Sequence, residues 1–119
     1  MSELVAEQRA PVPERAGLPA VWDLVIADAA ECRIPDDPGG PGPDPKCTYL
    51  NLLAMLKGYA RHFGTDLDAD MRERDATGRA RYGTPLQPFN GRRALVDAYQ
   101  ELLDAAVYLR QHLYERDGR

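Results

Sequence analysis

The chain has 119 residues, of which 44% are hydrophobic, and its formal net charge is −4. This length suits one domain, and the hydrophobic fraction predicts a folded chain rather than a disordered one. The acidic balance argues against a nucleic-acid binder, and no apolar run approaches the roughly 20 residues of a membrane span. Because the N-terminus also lacks the apolar core of a signal peptide, the sequence predicts a soluble cytoplasmic protein.

The N-terminal part of the chain is predicted to be a flexible arm, followed by a single helical domain. Residues 1–17 are polar and interrupted by proline, which is typical of an arm, and the domain covers residues 18–119. Pro19 suits the first turn of a first helix, and apolar residues at helical spacing continue that helix to about residue 32. Residues 35–45 contain five prolines and three glycines, so they exclude a helix and predict a spacer loop.

A second helix is predicted over 48–63, with Gly64 as its C-terminal cap. Gly58 inside this helix costs up to about 1 kcal/mol unless another backbone packs close to it. The two cysteines of the chain, Cys32 and Cys47, bracket the Pro/Gly-rich loop, which they could close as a disulfide. We expect reduced thiols instead, because the cytosol is reducing.

A third helix is predicted to run from a Thr65 cap to about residue 82. Thr65 with Asp68 three residues later resembles a capping box, and Gly83 is a strong stop signal. Gly78 in the interior of this helix again predicts a closely packed neighbour.

The fourth helix is predicted over 91–116, with Asn90 as its N-terminal cap and Phe89 as a hydrophobic staple. At roughly 25 residues and roughly 38 Å, it is typical of helices that pack along a partner. Its main apolar stripe consists of Leu95, Leu102, Ala106, Leu109 and Leu113. Further apolar residues flank that stripe, namely Val96, Leu103 and Val107. A monomer of this size cannot cover all of them, so the sequence predicts a homo-oligomer, specifically a two-fold dimer.

The third and fourth helices are joined by a short connector, which predicts an antiparallel hairpin. Each helix carries two acidic residues three positions apart: Asp70 and Glu73 on the third, Glu101 and Asp104 on the fourth. The two pairs lie at similar distances from the turn, and Asp97 extends the second pair along one helix face. Four carboxylates converging from two helices are predicted to bind one or two Mg²⁺ ions, or Mn²⁺, which in turn hold a di- or triphosphate.

A plainer interpretation of the same acidic residues is a solvated helix surface. Acidic residues are common on exposed helices, and pairs three positions apart arise by chance. The arginines of the third helix would then neutralise these carboxylates in surface ion pairs worth little, the candidates being Arg72, Arg74, Arg79 and Arg81.

The segment Glu101-Leu-Leu-Asp104, in the context DAYQELLDAAVYL, resembles the second ExxD motif of the MazG-like, all-α NTP pyrophosphohydrolases. Residues 70–113 are also similar to small MazG-like proteins of actinobacteria and their phages. In that family an ExxE pair on the preceding helix completes the Mg²⁺ site. The matching element here is Asp70-Met-Arg-Glu73, which departs from the family pattern by having Asp at the first position.

This resemblance implies a reaction and a set of roles. Such enzymes hydrolyse a nucleoside triphosphate between the α- and β-phosphates, giving the monophosphate and pyrophosphate, and they assemble as dimers or tetramers. Glu73, Glu101 and Asp104 would be metal ligands, with Asp70 or Asp97 as the fourth, and Glu73 and Glu101 would also be catalytic. Arginines that bind phosphates bidentately are the candidates for the outer phosphates, namely Arg79, Arg81, Arg92 and Arg93. Aromatic residues would stack on the base, the candidates being Tyr99, Tyr108 and Trp22.

We therefore predict an all-α chain of four helices with a C-terminal antiparallel hairpin, forming a dimeric helical bundle. The predicted function is Mg²⁺-dependent nucleotide pyrophosphohydrolysis, with a nucleotide as the substrate and no nucleic-acid polymer or membrane as a partner. The alternatives are a non-enzymatic helical interaction module and a family member whose site has decayed, in view of Asp70.

Overall fold

The computed structural model describes residues 11–32 and 42–119, and within these ranges the chain is all-helical. Its four helices are α1 (Val21–Glu31), α2 (Pro45–Phe63), α3 (Leu67–Tyr82) and α4 (Ala94–Asp117). The predicted all-α fold is therefore confirmed. None of these described helices combines the length and the apolar character that crossing a membrane requires.

The described helices belong to two compact units. One unit contains α2 packed on α3, and the other contains α1 packed on α4. The predicted single domain over 18–119 and the predicted hairpin of the third and fourth helices stay predictions, since α3 and α4 belong to different units. Residues 1–10 of the predicted arm and 35–41 of the predicted Pro/Gly-rich loop lie outside the described residues.

The helix α2 begins at Pro45, three residues earlier than predicted, because Asp44 caps it. The Asp44 carboxylate accepts a hydrogen bond from the backbone N–H of Lys46 at 3.0 Å, and proline is favoured in the first turn. Gly64 ends the helix as predicted, in the left-handed conformation with φ of 67°. The cysteine Cys47 in the first turn is a free, exposed thiol, and so is Cys32 after α1.

The N-terminal cap of α3 is Asp66, not Thr65 as predicted. The Asp66 carboxylate accepts hydrogen bonds from the backbone N–H groups of Asp68 and Ala69, at 3.0 and 3.4 Å. The Thr65 hydroxyl instead donates to the Asp70 carboxylate at 2.8 Å. An aspartate at the cap also places negative charge at the positive end of the helix dipole, which explains why the cap moves by one residue.

Replacing Asp66 by Ala is expected to destabilise the α2–α3 unit by about 1 kcal/mol, because two backbone N–H groups lose their acceptor. Replacing Asp66 by Asn keeps an acceptor at the same place and should cost much less. Urea unfolding monitored by circular dichroism measures both variants. Equal destabilisation by the two substitutions would contradict a capping role for the Asp66 side chain.

The start of α4 also differs from the prediction. The helix begins at Ala94, its cap residue Arg93 makes no side-chain capping bond, and Phe89 is fully exposed with φ of 59°. A side chain in that position cannot act as a staple, and the predicted cap at Asn90 is wrong because the helix begins only after Arg93. The close approach predicted at Gly78 is also wrong, since a Cβ there would meet no described residue within 4 Å, and the same holds at Gly58.

The unit formed by α1 and α4 is held in register by an ion pair. Arg110 of α4 lies 2.8 Å from Asp28 of α1, and the arginine side chain is only 18% exposed. Helical spacing places Leu103, Val107 and Tyr114 on the same face of α4 as Arg110. Leu103 and Val107 were expected to flank the main stripe. Their face of α4 is the one that forms the ion pair with α1.

The main apolar stripe of α4 lies on a different face. We call it the leucine stripe, and it consists of Leu95, Tyr99, Leu102, Ala106, Leu109 and Leu113. All of these residues are exposed. Of the three flanking residues that led us to expect an oligomer, Val96 and Val107 are half-buried, whereas Leu103 is 37% exposed. The exposed apolar surface of α4 therefore includes both the stripe and Leu103.

The hydrophobic core of the described residues is small. Among them, Ala60 of α2 is the only buried hydrophobic residue, at 8% exposure. It lies near the end of the helix that packs on α3, and its carbonyl accepts the backbone N–H of Thr65 at 3.0 Å. Leu53 of α2 and Leu67 of α3 are half-buried, so the core of this unit is shallow.

Candidate functional site

The predicted acidic residues lie in two pairs, one in each unit. Asp70 and Glu73 lie on α3 and are both half-buried, whereas Glu101 and Asp104 lie on α4 and are both exposed. Within either unit, no three described His, Cys, Asp or Glu side chains come together as a metal site. Each unit therefore presents a carboxylate pair, and the predicted four-carboxylate site stays a prediction.

The carboxylates Glu101 and Asp104 are the more available of the two pairs. They form no hydrogen bond or ion pair with any described residue. Residues three positions apart on a helix have Cβ atoms roughly 5–6 Å apart, so both carboxylates can reach one cation. Two exposed acids without a cationic partner repel each other, and a bound divalent cation would remove that repulsion.

The carboxylate of Asp97, on the same side of α4, is already paired. Arg92 lies 3.1 Å from it, and both side chains remain partly exposed. These two residues were predicted as a metal ligand and a phosphate ligand respectively, and here they neutralise each other. An exposed pair of this kind is worth little, so it opens readily when a stronger ligand arrives.

The first carboxylate of the α3 pair has a structural partner. Asp70 accepts the hydrogen bond from Thr65 across the turn between α2 and α3, which ties it to the start of its own helix. The position at which the chain departs from the ExxE pattern, with Asp in place of Glu, is therefore also the position that bonds Thr65. The backbone carbonyl of Glu73 accepts a hydrogen bond from the Thr77 hydroxyl at 2.9 Å.

The arginines of α3 pair with other acids than the predicted ligands. Arg72 bonds Asp68 at 2.8 Å, and this hydrogen bond raises the pKa of the guanidinium above its ordinary value. Arg79 bonds Asp75 at 3.1 Å, and the guanidinium of Arg81 lies 5.5 Å from the ring centre of Tyr82. Arg72 and Arg79 thus form the surface ion pairs of the plainer interpretation, but with Asp68 and Asp75 in place of the predicted ligands.

The predicted base-stacking residues of α4 lie on different sides of the helix. Tyr108 follows Asp104 by four positions, so it lies on the acidic side, and it is 49% exposed. Tyr99 belongs to the leucine stripe and is 62% exposed. Arg93, the other predicted phosphate ligand in this region, lines a shallow surface depression together with Tyr99. Trp22 of α1 is also exposed.

A groove between α2 and α3 was missed by the sequence reasoning. It has a volume of about 390 Å³ and combines apolar and aromatic side chains with Asp70 and Arg74. Tyr59 and Phe63 lie along it with stacked rings, their centres 6.4 Å apart. The signal in the sequence was the four-residue spacing of these two aromatics, which places them on one face of α2.

The last turn of α4 has one further electrostatic feature. Arg116 donates a hydrogen bond to Asp117 at 2.8 Å, and this bond lowers the pKa of the Asp117 carboxyl below its ordinary range. Both groups are exposed at the helix end and distant in sequence from the acidic pairs.

Comparison of the chain with protein-family models, curated proteins and solved structures gives no match.

Proposed function

We propose that this protein is a Mg²⁺-dependent nucleoside triphosphate pyrophosphohydrolase. The observation that supports this best is the pair Glu101 and Asp104, which is exposed, adjacent on one helix face and without a bonding partner among the described residues. Such a pair costs free energy when it is empty and suits a hard divalent cation, which prefers carboxylate oxygens. Mn²⁺, with the same ligand preference, is the expected substitute.

The proposed metal ligands are Glu101 and Asp104 of α4 together with Glu73 of α3. Asp70 or Asp97 is the fourth carboxylate, and each has an oxygen left for a cation beside the one that contacts Thr65 or Arg92. When bound, Mg²⁺ neutralises the charge of the triphosphate and polarises the α-phosphoryl group. The donor set fits this ion, because it consists of carboxylate oxygens without a thiolate or an imidazole.

The reaction is a hydrolysis at the α-phosphorus. The oxygen of a water molecule forms a bond to this phosphorus, and the bond between the phosphorus and the bridging oxygen breaks, so that pyrophosphate leaves. Glu73 or Glu101 accepts the proton of the attacking water. Arg79, Arg81, Arg92 and Arg93 are the candidates that hold the outer phosphates.

The base is assigned to an aromatic side chain near the carboxylates. Tyr108 is the better candidate on α4, because it shares the acidic side of the helix, whereas Tyr99 lies on the leucine stripe. The Tyr59–Phe63 pair, next to Asp70 in the α2–α3 groove, is a second candidate. We propose that the enzyme acts in the cytoplasm and as a homo-oligomer.

The proposal is tested by thermal melting with Mg²⁺ or Mn²⁺, with and without a dNTP whose α–β bridge cannot be hydrolysed. At ten times its dissociation constant, a ligand that binds only the folded state adds about 1.4 kcal/mol, which corresponds to a rise of several degrees. Sodium chloride at equal ionic strength is the control for charge screening. Pyrophosphate release from a panel of dNTPs completes the test, and no cation effect together with no cleavage would contradict the proposal.

The second candidate function is a helical interaction module without enzymatic activity. It is favoured by α2, whose residues Tyr49, Leu56 and Phe63 repeat every seven positions and are all exposed. Such a module would show the same thermal melting with Mg²⁺ as with sodium chloride. The cation series therefore distinguishes the two candidates before any substrate is identified.

A further inference from the structure

The groove between α2 and α3 lies within one unit and has the size of a small-molecule site. Its volume of about 390 Å³ falls in the range of such sites, which is about 300–1,000 Å³. The apolar part of its lining consists of Leu56, Tyr59, Phe63, Leu67 and Met71. Few polar groups on a mostly apolar wall are typical of a site that binds a small organic ligand.

Two aromatic rings on α2 give the groove a flat surface. Tyr59 and Phe63 lie one helical turn apart, their ring planes differ by 22°, and their centres are 6.4 Å apart. Both side chains are exposed, Tyr59 at 48% and Phe63 at 57%. A planar ring that enters the groove can therefore stack on either of them.

The polar groups of the groove form an ion pair that has not closed. The helix α3 has three aspartates followed four positions later by arginine, namely Asp68–Arg72, Asp70–Arg74 and Asp75–Arg79. The first and third of these pairs close at 2.8 and 3.1 Å. The second pair lines the groove and stays open, and Arg74 bonds no other described residue. One acceptor and one donor thus remain available at the groove wall.

The carboxylate of Asp70 keeps an oxygen for a ligand. Its Oδ2 accepts the hydrogen bond from Thr65 at 2.8 Å, which leaves Oδ1 as an acceptor. The Thr65 bond also holds the half-buried carboxylate in place. The guanidinium of Arg74 offers several N–H donors one helical turn further along α3.

The opposite charges of Asp70 and Arg74 favour a neutral ligand. Asp70 repels a free anion and Arg74 repels a free cation, whereas a ring with a donor beside an acceptor on one edge satisfies both groups. Nucleobases are flat and neutral, and each has such an edge, which proteins read by hydrogen bonds while the ring stacks on aromatic side chains. The groove therefore matches a nucleobase in size, shape and charge.

We propose that the α2–α3 groove binds the nucleobase of the substrate and that Arg74 is a specificity-determining residue. The ring stacks on Phe63 or Tyr59, a base N–H donates to Asp70, and a base acceptor receives a hydrogen bond from Arg74. This inference rests on the proposed function, whose substrate is a nucleotide. It places the base in the groove instead of at Tyr108. Because Asp70 then contacts the base, Asp97 is the fourth carboxylate of the proposed metal site.

The experiment measures nucleoside binding to the full chain by ligand-detected NMR without any divalent cation. Nucleosides have no phosphate, so they report on the base site alone. With adenosine, guanosine, cytidine and uridine up to about 2 mM, we expect at least one dissociation constant below about 1 mM. N-methylation that removes the N–H donor, as in N6,N6-dimethyladenosine or 3-methyluridine, should weaken binding at least about 10-fold, because Asp70 loses its partner.

Two variants test the groove, and each has a matched control. Phe63→Leu removes the ring and Arg74→Leu removes the donor, and each should raise the dissociation constant at least about 10-fold. Tyr49→Leu changes an exposed aromatic of α2 outside the groove, and Arg72→Leu changes an exposed arginine of α3 outside it. Both controls should bind like the unaltered chain. Circular dichroism verifies the fold, and Tyr59→Leu replaces Phe63→Leu if that variant loses helix content.

Three outcomes would overturn this assignment. The first is that no nucleoside binds. The second is that the methylated nucleosides, or benzoate as an aromatic anion, bind as tightly as the best natural nucleoside. The third is that Tyr108→Leu abolishes binding while folded Phe63→Leu and Arg74→Leu variants retain it. Pyrophosphate release by a chain that binds no nucleoside would contradict the base site alone. Nucleoside binding in the groove without any cation effect or cleavage would instead support the site and contradict the hydrolase.

Discussion

Replacing Glu101 by Gln or Asp104 by Asn is expected to lower pyrophosphate release by at least about 100-fold, equivalent to about 2.7 kcal/mol of activation free energy. Each change removes one negative ligand from the exposed pair on α4 while keeping the shape of the side chain. The rise in melting temperature with Mg²⁺ should be lost in both variants, because the cation no longer binds the folded state more strongly. Without Mg²⁺ both variants should melt at the wild-type temperature or slightly above it, since repulsion between the carboxylates is relieved.

The matched control for these variants is Glu115→Gln on the same helix. Glu115 is also exposed, and it accepts a hydrogen bond from Gln111 at 2.9 Å. It lies outside the proposed site, so its substitution should leave both pyrophosphate release and the Mg²⁺ effect unchanged. If Glu101→Gln and Asp104→Asn behave like Glu115→Gln, the acidic residues are a solvated surface and the interaction module is the better description.

The second large effect is expected at Ala60. Replacing it by Asp puts a carboxylate at the one buried hydrophobic position among the described residues, where α2 packs on α3. Burial of a polar group without a partner should cost about 2–4 kcal/mol. The measurement is urea unfolding of the unaltered chain and the variant, together with hydrogen exchange of the α2 and α3 amides, which should lose protection together.

The control for this change is Arg61→Asp at the neighbouring, exposed position. It introduces the same residue at the same end of α2, and it also removes a cation that favours the helix C-terminus. Any cost from helix propensity or the helix dipole is therefore at least as large in the control. A destabilisation of Ala60→Asp no greater than that of Arg61→Asp would show that the α2–α3 contact does not depend on this position.

Signals that act within one turn of the chain were predicted well from the sequence. Gly64 and Gly83 end their helices because a left-handed residue closes the last turn, and this needs no information from elsewhere in the molecule. The N-terminal caps were less predictable, since Thr65 and Asp66 both offer an acceptor. The Asp66 carboxylate caps the helix, while the Thr65 hydroxyl donates a hydrogen bond to Asp70. Which of the two residues caps the helix thus depends on competing local hydrogen bonds.

Partners of a helix face could not be predicted in the same way. Periodicity places two apolar faces on α4, but it does not state which of them a neighbouring helix covers. The ion pair between Arg110 and Asp28, 82 positions apart in the chain, shows that α1 packs on the less regular of the two faces.

For the site, helical spacing fixes Glu101 beside Asp104 and Asp70 beside Glu73. Bringing one pair to the other is a tertiary property that spacing on a single helix does not contain.

The two exposed thiols give each unit one site for chemical labelling. Cys32 follows α1, in the unit with α4, and Cys47 lies in the first turn of α2, in the unit with α3. A pair of dyes or spin labels attached to these native positions therefore reports the separation of the two units without any substitution. Titrating such a doubly labelled chain with Mg²⁺ and nucleotide then measures whether the distance between the two units changes, at cysteines that have no role in the proposed chemistry.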